Sequence, residues 1–439
     1  MIWSGQMKLT IHRGTHEIGG SCVELCSNLE KTRIVIDVGM PLVTPDMLPF
    51  EWRHYKDLSQ EQLLAQRVLP AVEGLYSHQK PSIAAVILSH AHQDHYGFIR
   101  FLHPDIPLYM SIGTQSLVEV SNLFLSTEVN LDQVETFVMW QSFGVGEFTV
   151  TPYLMDHSAP DAAAFLIEAD GQRLFYTGDF RGHGRKQVLL ERLLANPISR
   201  IDCLVLEGSM IGREEDRYQD EKSVEQAIYD AIADQQSYIF VFCSSQNLDR
   251  LVSIYRAVRQ ARKTLVIDLY TAFVLDKLSS ISSHIPQFDW KEIRVLYAHS
   301  HAEKLAEYDK ELLYKYKRAK IEWEEIKATP QDMVILVKDN SYFRRIILPK
   351  LGARSGTKAI YSMWHGYLER TDLAQFLESH NIELMEIHTS GHAYIEDLKK
   401  LARVLDPRFV VPIHTFHPEQ YGKIYHTIVQ LDDGVIYYL

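Results

Sequence analysis

Apolar residues fall along the chain in short runs of strand length, and polar clusters follow them. Lys8–His12 and Cys22–Leu25 read as paired strands around a glycine-containing turn at 14–20, and Arg33–Ile36 reads as a third that stops at Asp37. Residues 41–80 read as an insertion with one amphipathic helix, because Leu63, Val68, Leu69 and Val72 keep near-helical spacing before Pro81. Ala84–Ser89 is again a strand and runs into His90-Ala91-His92-Gln93-Asp94-His95. Extended backbone through this stretch would put His90, His92 and Asp94 on one side, with His95 and Gly97 opening a turn into a helix. Strands are expected near 107–110, 134–139 and 148–155, the last delivering Asp156 and His157. Ala164–Glu168 and Arg173–Thr177 form a hairpin about Asp170-Gly171 that ends at Asp179.

From about 207 the pattern changes to strands alternating with helices. Helices are expected at 222–235, 247–261 and 271–280, and strands at 238–242, 264–267, 293–296 and 333–337. Such alternation predicts a parallel sheet covered on both faces, and so a second α/β domain. Strand 359–363, helix 372–380 and strand 382–387 lead to His388-Thr389-Ser390-Gly391-His392. Helix 394–404, strand 408–413 ending at His414, and a terminal hairpin turning at Asp433-Gly434 complete the reading.

Length and composition narrow the class. At 439 residues, 46% hydrophobic, the chain is of ordinary globular make-up, and about 150 residues per domain gives two or three domains. No apolar stretch approaches the roughly 20 residues of a membrane span, and Met1–Met7 lacks the basic-then-apolar form of a leader, so the expectation is a cytoplasmic protein. The four cysteines, Cys22, Cys26, Cys203 and Cys243, suggest neither a disulfide framework nor a cysteine-based zinc site. A formal charge of −12 argues against indiscriminate coating of nucleic acid, while leaving room for a local basic groove.

The chemistry begins at His90, His92, Asp94 and His95. Imidazole and carboxylate crowded at a strand end suit zinc, and a pair of ions best accounts for so many donors. The bland alternative is a polar strand-to-helix turn. With 20 histidines in the chain, chance assembly of H-x-H-x-D-H is roughly a few in a thousand, which favours the metal site. His157 and Asp179 would each pass for a turn residue alone, but their repeated placement at strand ends joins them to the motif.

The series Asp37, His90-x-His92-x-Asp94-His95, His157 and Asp179 resembles motifs 1 to 4 of the metallo-β-lactamase superfamily. Glu207, His392 and His414 resemble motifs A, B and C of its β-CASP nucleic-acid branch. Within that branch Glu17-Ile18-Gly19, His157-Ser158-x-Pro160-Asp161 and Ser390-Gly391-His392-Ala393 look most like ribonuclease J. The resemblance implies an α/β protein, an αββα metallo-β-lactamase sandwich (1–207 and 371–439) with an inserted parallel-sheet β-CASP domain (208–370). It further implies two Zn2+ ions, with Mn2+ or Mg2+ as substitutes: His90, His92 and His157 hold one, Asp94, His95 and His414 the other, and Asp179 bridges.

By the same resemblance Asp94, His392 and Glu207 form the catalytic set, with His392 protonating the leaving oxygen, and Asp37 orients metal ligands without binding metal itself. Ser390, Gly391 and His392 would hold an RNA 5′ end, and Ser244, Ser245 and Asn247 a second phosphate, with helix capping the alternative for the latter three. Arg181, Arg185 and Lys186 are candidates for a groove, and Tyr314–Arg318 for a single-strand contact, with solvated charge as the alternative in both places. The implied activity is zinc-dependent hydrolysis of single-stranded RNA, 5′-to-3′ exonucleolytic, endonucleolytic or both. The alternatives are a DNA nuclease and a nucleic-acid-binding protein without catalysis. Two departures bear on partners: Thr415-Phe416-His417-Pro418 follows motif C where ribonuclease J has Gly-Glu, and its C-terminal dimerisation domain has no counterpart before Leu439, so no oligomeric state carries over.

Overall fold

The computed structural model describes residues 6–28, 31–214 and 216–439, so most of the leader reading at Met1–Met7 lies outside the described residues. In chain order the strands are β1 (Lys8–Arg13), β2 (Cys22–Cys26), β3 (Arg33–Ile36), β4 (Ala85–Ile87), β5 (Leu108–Met110), β6 (Val134–Thr136), β7 (Phe143–Val145), β8 (Phe148–Leu154), β9 (Ala163–Ala169), β10 (Gln172–Tyr176) and β11 (Cys203–Glu207). They continue with β12 (Ile239–Phe242), β13 (Thr264–Asp268), β14 (Ile293–Leu296), β15 (Met333–Val337), β16 (Lys358–Tyr361), β17 (Glu383–Glu386), β18 (Phe409–Ile413) and β19 (Ile436–Tyr438).

The chain divides into two compact units, one of residues 1–118, 127–215 and 391–439, the other of 119–126 and 216–390. In the first, a seven-stranded sheet runs β19-β1-β2-β3-β4-β5-β6 and a six-stranded sheet runs β18-β11-β10-β9-β8-β7. Alternate residues of both sheets share one dry core: Leu9, Ile11, Val23, Ile36 and Ile87 meet Val150, Phe165, Ile167, Val205 and Val411. The far face of the second sheet packs on helices Val188–Ala195 and Ile395–Leu405 through Leu190, Leu193, Leu398, Leu401 and Leu405. The second unit has a six-stranded sheet, β14-β13-β15-β12-β16-β17, with every pair parallel, as the strand and helix alternation predicts.

Several readings need correction. The helix of the 41–80 stretch is only Gln60–Ala65; Arg67, at φ +56°, breaks it, and Val68, Leu69 and Val72 are buried without being helical. Helix Ile112–Leu125 was not among the expected elements. The terminal hairpin is absent from the described residues: β19 lies antiparallel on β1, and the Gly434 N–H donates to Ile11 O at 2.7 Å. Finally, the backbone leaves the extended state just after His92, where a one-turn helix Gln93–Tyr96 begins, so Asp94 and His95 project from a helix.

Candidate metal centre

The candidate ligands stand where strands of the first unit end. β4 leads to His90, and the helix Gln93–Tyr96 carries Asp94 and His95; β8 leads to His157, β10 to Asp179 and β18 to His414. Close backbone packing makes this possible: a Cβ on Gly39 would sit 1.8 Å from Asp94 O and 2.9 Å from Ser21 N, so only glycine lets the helix settle there. Asp37 and His414 both hold left-handed backbone, φ +58° and +54°, which turns their side chains off the ends of β3 and β18.

Two donor clusters share one carboxylate. His90, His92, His157 and Asp179 each offer an atom within 4.8 Å of one another, as do Asp94, His95, Asp179 and His414. Asp179 Oδ2 lies 3.7 Å from His90 Nε2, 3.3 Å from His95 Nε2, 4.0 Å from His157 Nε2 and 3.8 Å from His414 Nε2. His92 Nδ1 is 3.1 Å from both His90 Nε2 and His157 Nε2. The decisive feature is what these atoms lack: both Asp179 oxygens, His95 Nε2 and His414 Nε2 are buried without a hydrogen-bond partner. Buried polar atoms are normally satisfied, so four orphans converging on one small volume fit a cation between them. The nitrogen and oxygen donor set suits a divalent metal.

Outer contacts hold the rings. His95 Nδ1–H donates to Asp37 Oδ2 at 2.8 Å, and Asp37 also accepts from Ser89 N at 2.8 Å, Ser89 Oγ at 2.7 Å and Tyr176 OH at 2.8 Å. His157 Nδ1–H donates to Gly391 O at 2.6 Å, and Ser21 Oγ lies 3.0 Å from His414 Nδ1. Such contacts fix which ring nitrogen is left for metal. Sequence reasoning missed Ser21, Ser89 and Tyr176; a lone hydroxyl beside a strand carries no signal of its own.

Electrostatics follow from crowding. Burial pushes His90 and His157 well below the usual histidine value, and the neighbouring imidazoles add to the push. Burial also lowers His92 and His414. Burial would lower His95 too, but Asp179 and Asp37 outweigh it and raise the ring well above its ordinary value. Asp179 is held well below the carboxylate range: burial opposes this, and His414, His95 and His392 prevail.

A third cluster joins Asp179 to Glu207 and His392. His392 Nδ1 lies 3.7 Å from Asp179 Oδ2 and 3.5 Å from Glu207 Oε1. Glu207 is itself pinned, accepting from Ser209 N at 3.0 Å and Ser209 Oγ at 2.9 Å. Burial alone would lower the pKa of His392, but Glu207 and Asp179 raise it above the ordinary histidine value.

The remaining candidates are placed differently. Ser244, Ser245, Asn247 and Ser390 belong to the second unit. Asn247 Oδ1 accepts from Arg250 N at 3.0 Å and caps the following helix, Ser245 is buried against Thr271, and Ser244 is exposed. Arg181 is no solvated charge: it is 1% exposed, with Nε 3.8 Å from Asp156 Oδ1. Lys186 Nζ donates to His157 O at 2.9 Å, and Arg185 is half-buried. In the 314–318 stretch Tyr316 is fully buried, Lys315 pairs with Asp276 at 2.6 Å and Arg318 with Asp289 at 2.8 Å, while Tyr314 and Lys317 are exposed. Glu17 lies 3.2 Å from Arg13, and burial pushes its carboxyl up to about 7.

Comparison with known proteins agrees with the fold. Residues 32–234 match the family model of the beta-lactamase superfamily domain. Ribonuclease J of Helicobacter pylori is 26% identical over 434 residues, covering 93% of this chain and 56% of that protein. Ribonuclease J of Mycobacterium tuberculosis is 24% identical, covering 94% of this chain and 69% of that protein. The chain thus spans 56% of the Helicobacter pylori relative's length. A crystal structure of a protein of unknown function from Enterococcus faecalis superposes with a TM-score of 0.78 at 23% identity, over 99% of this chain and 100% of that one.

Proposed function

We infer that this chain, a metallo-β-lactamase-fold protein similar to ribonuclease J, is a metal-dependent ribonuclease that hydrolyses phosphodiester bonds of single-stranded RNA. The observation that carries the reading is the convergence of His90, His92, Asp94, His95, His157 and His414 on the orphaned carboxylate of Asp179, with His392 beside it. We take the ions as two Zn2+, one in each cluster, with Asp179 shared. Bound there, they supply charge neutralisation for phosphoryl oxygens and lower the pKa of water.

The chain's own groups do the rest. His392, whose pKa Glu207 and Asp179 raise against the effect of burial, gives a proton to the departing oxygen, a service worth about 10² to 10⁴ in rate. Asp37 holds the His95 ring so that its Nε2 faces Asp179. Asp94, half-buried 3.6 Å from His414 Nε2, completes the second cluster. Ser390 and Gly391 are assigned to the RNA 5′ phosphate, which makes the enzyme a 5′-to-3′ exonuclease. Because capping occupies Asn247 and Ser245 is buried, the second phosphate contact falls to exposed Ser244. We read the second unit as the β-CASP domain. No helix among the described residues is long and apolar enough to cross a membrane, and we place the activity in the cytoplasm.

End-labelled RNA carrying a 5′-monophosphate or 5′-triphosphate, with matched DNA, tests the whole reading on zinc- and manganese-loaded protein. Mononucleotides from monophosphorylated RNA are expected. Fixed-length fragments replace the exonuclease assignment with an endonuclease, and intact RNA under every metal overturns the reading.

A further inference from the structure

Between β17 and His392 the backbone is fastened almost residue by residue. Ser362 Oγ donates to Ile387 O at 2.6 Å, Arg250 Nη2 to Thr389 O at 3.2 Å, and Ser390 N to Asp216 Oδ2 at 2.7 Å. Gly391 O then accepts from His157 at 2.6 Å, and His392 faces Glu207 at 3.5 Å.

Arg250 is the hub of the first half of this chain of contacts. Its side chain is fully buried. Nε and Nη2 meet the Glu221 oxygens at 3.2 and 2.9 Å, while Nη1 reaches Ser362 O at 2.9 Å and Ser362 Oγ at 2.7 Å and lies 3.2 Å from His388 Nδ1. With Thr389 O this gives every N–H of the planar fork a partner. Glu221, 2% exposed, opens helix Glu221–Ile232, and Arg250 lies in the first turn of helix Leu248–Gln260. A buried ion pair is a poor way merely to join two helices, since apolar residues of similar volume do so as well or better. What apolar residues cannot do is grip two carbonyls and a serine hydroxyl at fixed angles.

We propose that Arg250, braced by Glu221, is a positioning residue: by holding Ser362 and Thr389 it sets the backbone that presents Ser390 to the substrate phosphate. The catalytic part of this rests on the ribonuclease reading above; the structural part does not. The test compares wild type with E221L/R250M, which replaces the pair by apolar residues and strands no charge, and with R250K, which keeps the charge and loses the fork. Hydrogen exchange at the amides of 389–393 and the preference for 5′-monophosphorylated over 5′-hydroxyl RNA are measured together with metal content. The double variant is expected to keep its fold and its metal, to exchange about tenfold faster across 389–393, and to lose about 10- to 100-fold in turnover with its 5′-phosphate preference falling towards one. Unchanged exchange there, or turnover and preference equal to wild type, overturns the proposal. If the double variant does not fold, R250K decides by the same readings. If the wild type cleaves no RNA, the functional reading fails and hydrogen exchange alone decides the positioning role.

Discussion

At Asp179 a single carboxylate faces His90, His95, His157 and His414 at 3.3 to 4.0 Å, and His392 at 3.7 Å. The carboxylate common to both donor clusters therefore also acts to raise the pKa of His392. H392A is expected to cut turnover by about 10² to 10⁴ while zinc content, read by elemental mass spectrometry, stays at the wild-type level. Losing metal and turnover together would end its assignment as the proton donor. Away from the site, Glu24 shows how the fold uses charge. Burial would raise its carboxyl, but hydrogen bonds from His12 at 2.8 Å and Arg33 at 2.6 Å win and lower it from 4.5 to about 2. Because the folded value is depressed, its contribution is complete above the unfolded value of 4.5 and fades as pH falls towards 2. That contribution is about 3 kcal/mol at neutral pH. Urea unfolding of E24Q and wild type should show a wide gap at pH 7 that narrows by pH 2.5; a gap of constant width would show that the charge is not its source.

At the scale of elements, the one-turn helix Gln93–Tyr96 depends on the chain passing it at Gly39. A methyl group there meets Asp94 O at 1.8 Å, so G39A should displace Asp94 and His95, lowering metal stoichiometry and the thermal midpoint together. A variant with full metal content would show that the contact can relax. The strands of both units were legible because buried sheets write themselves as apolar runs, and their polar ends announced the ligands. What resisted reading has physical causes. Val68, Leu69 and Val72 are buried by tertiary contact, and burial without helix imitates helical spacing. β19 found its partner at the opposite end of the chain, which no local turn signal reveals. Asp94 was expected on extended backbone, yet the helix that carries it is held by a neighbour's missing side chain.

At the scale of the molecule, the ligand clusters belong wholly to the first unit, although that unit is assembled from three stretches of chain. A cation there neutralises a buried carboxylate and engages nitrogens that otherwise have no partner, so binding and stability are linked. Stripping the protein with chelator should abolish cleavage and lower the thermal midpoint, by the equivalent of about 4 kcal/mol if metal had been at a thousandfold excess over its Kd. Calorimetry before and after re-addition of zinc checks this, and an unchanged midpoint would show that the metal does not contribute to the fold. One pairing has a consequence for timing. β11 lies in register with β18, Cys203 beside Phe409 and Glu207 beside Ile413, and residues 216–390 of the second unit are translated between them. During synthesis the Asp94 and His95 cluster must wait for its last imidazole until His414 has cleared the ribosome. The second donor set is therefore complete only after every strand from β1 to β18 has been made.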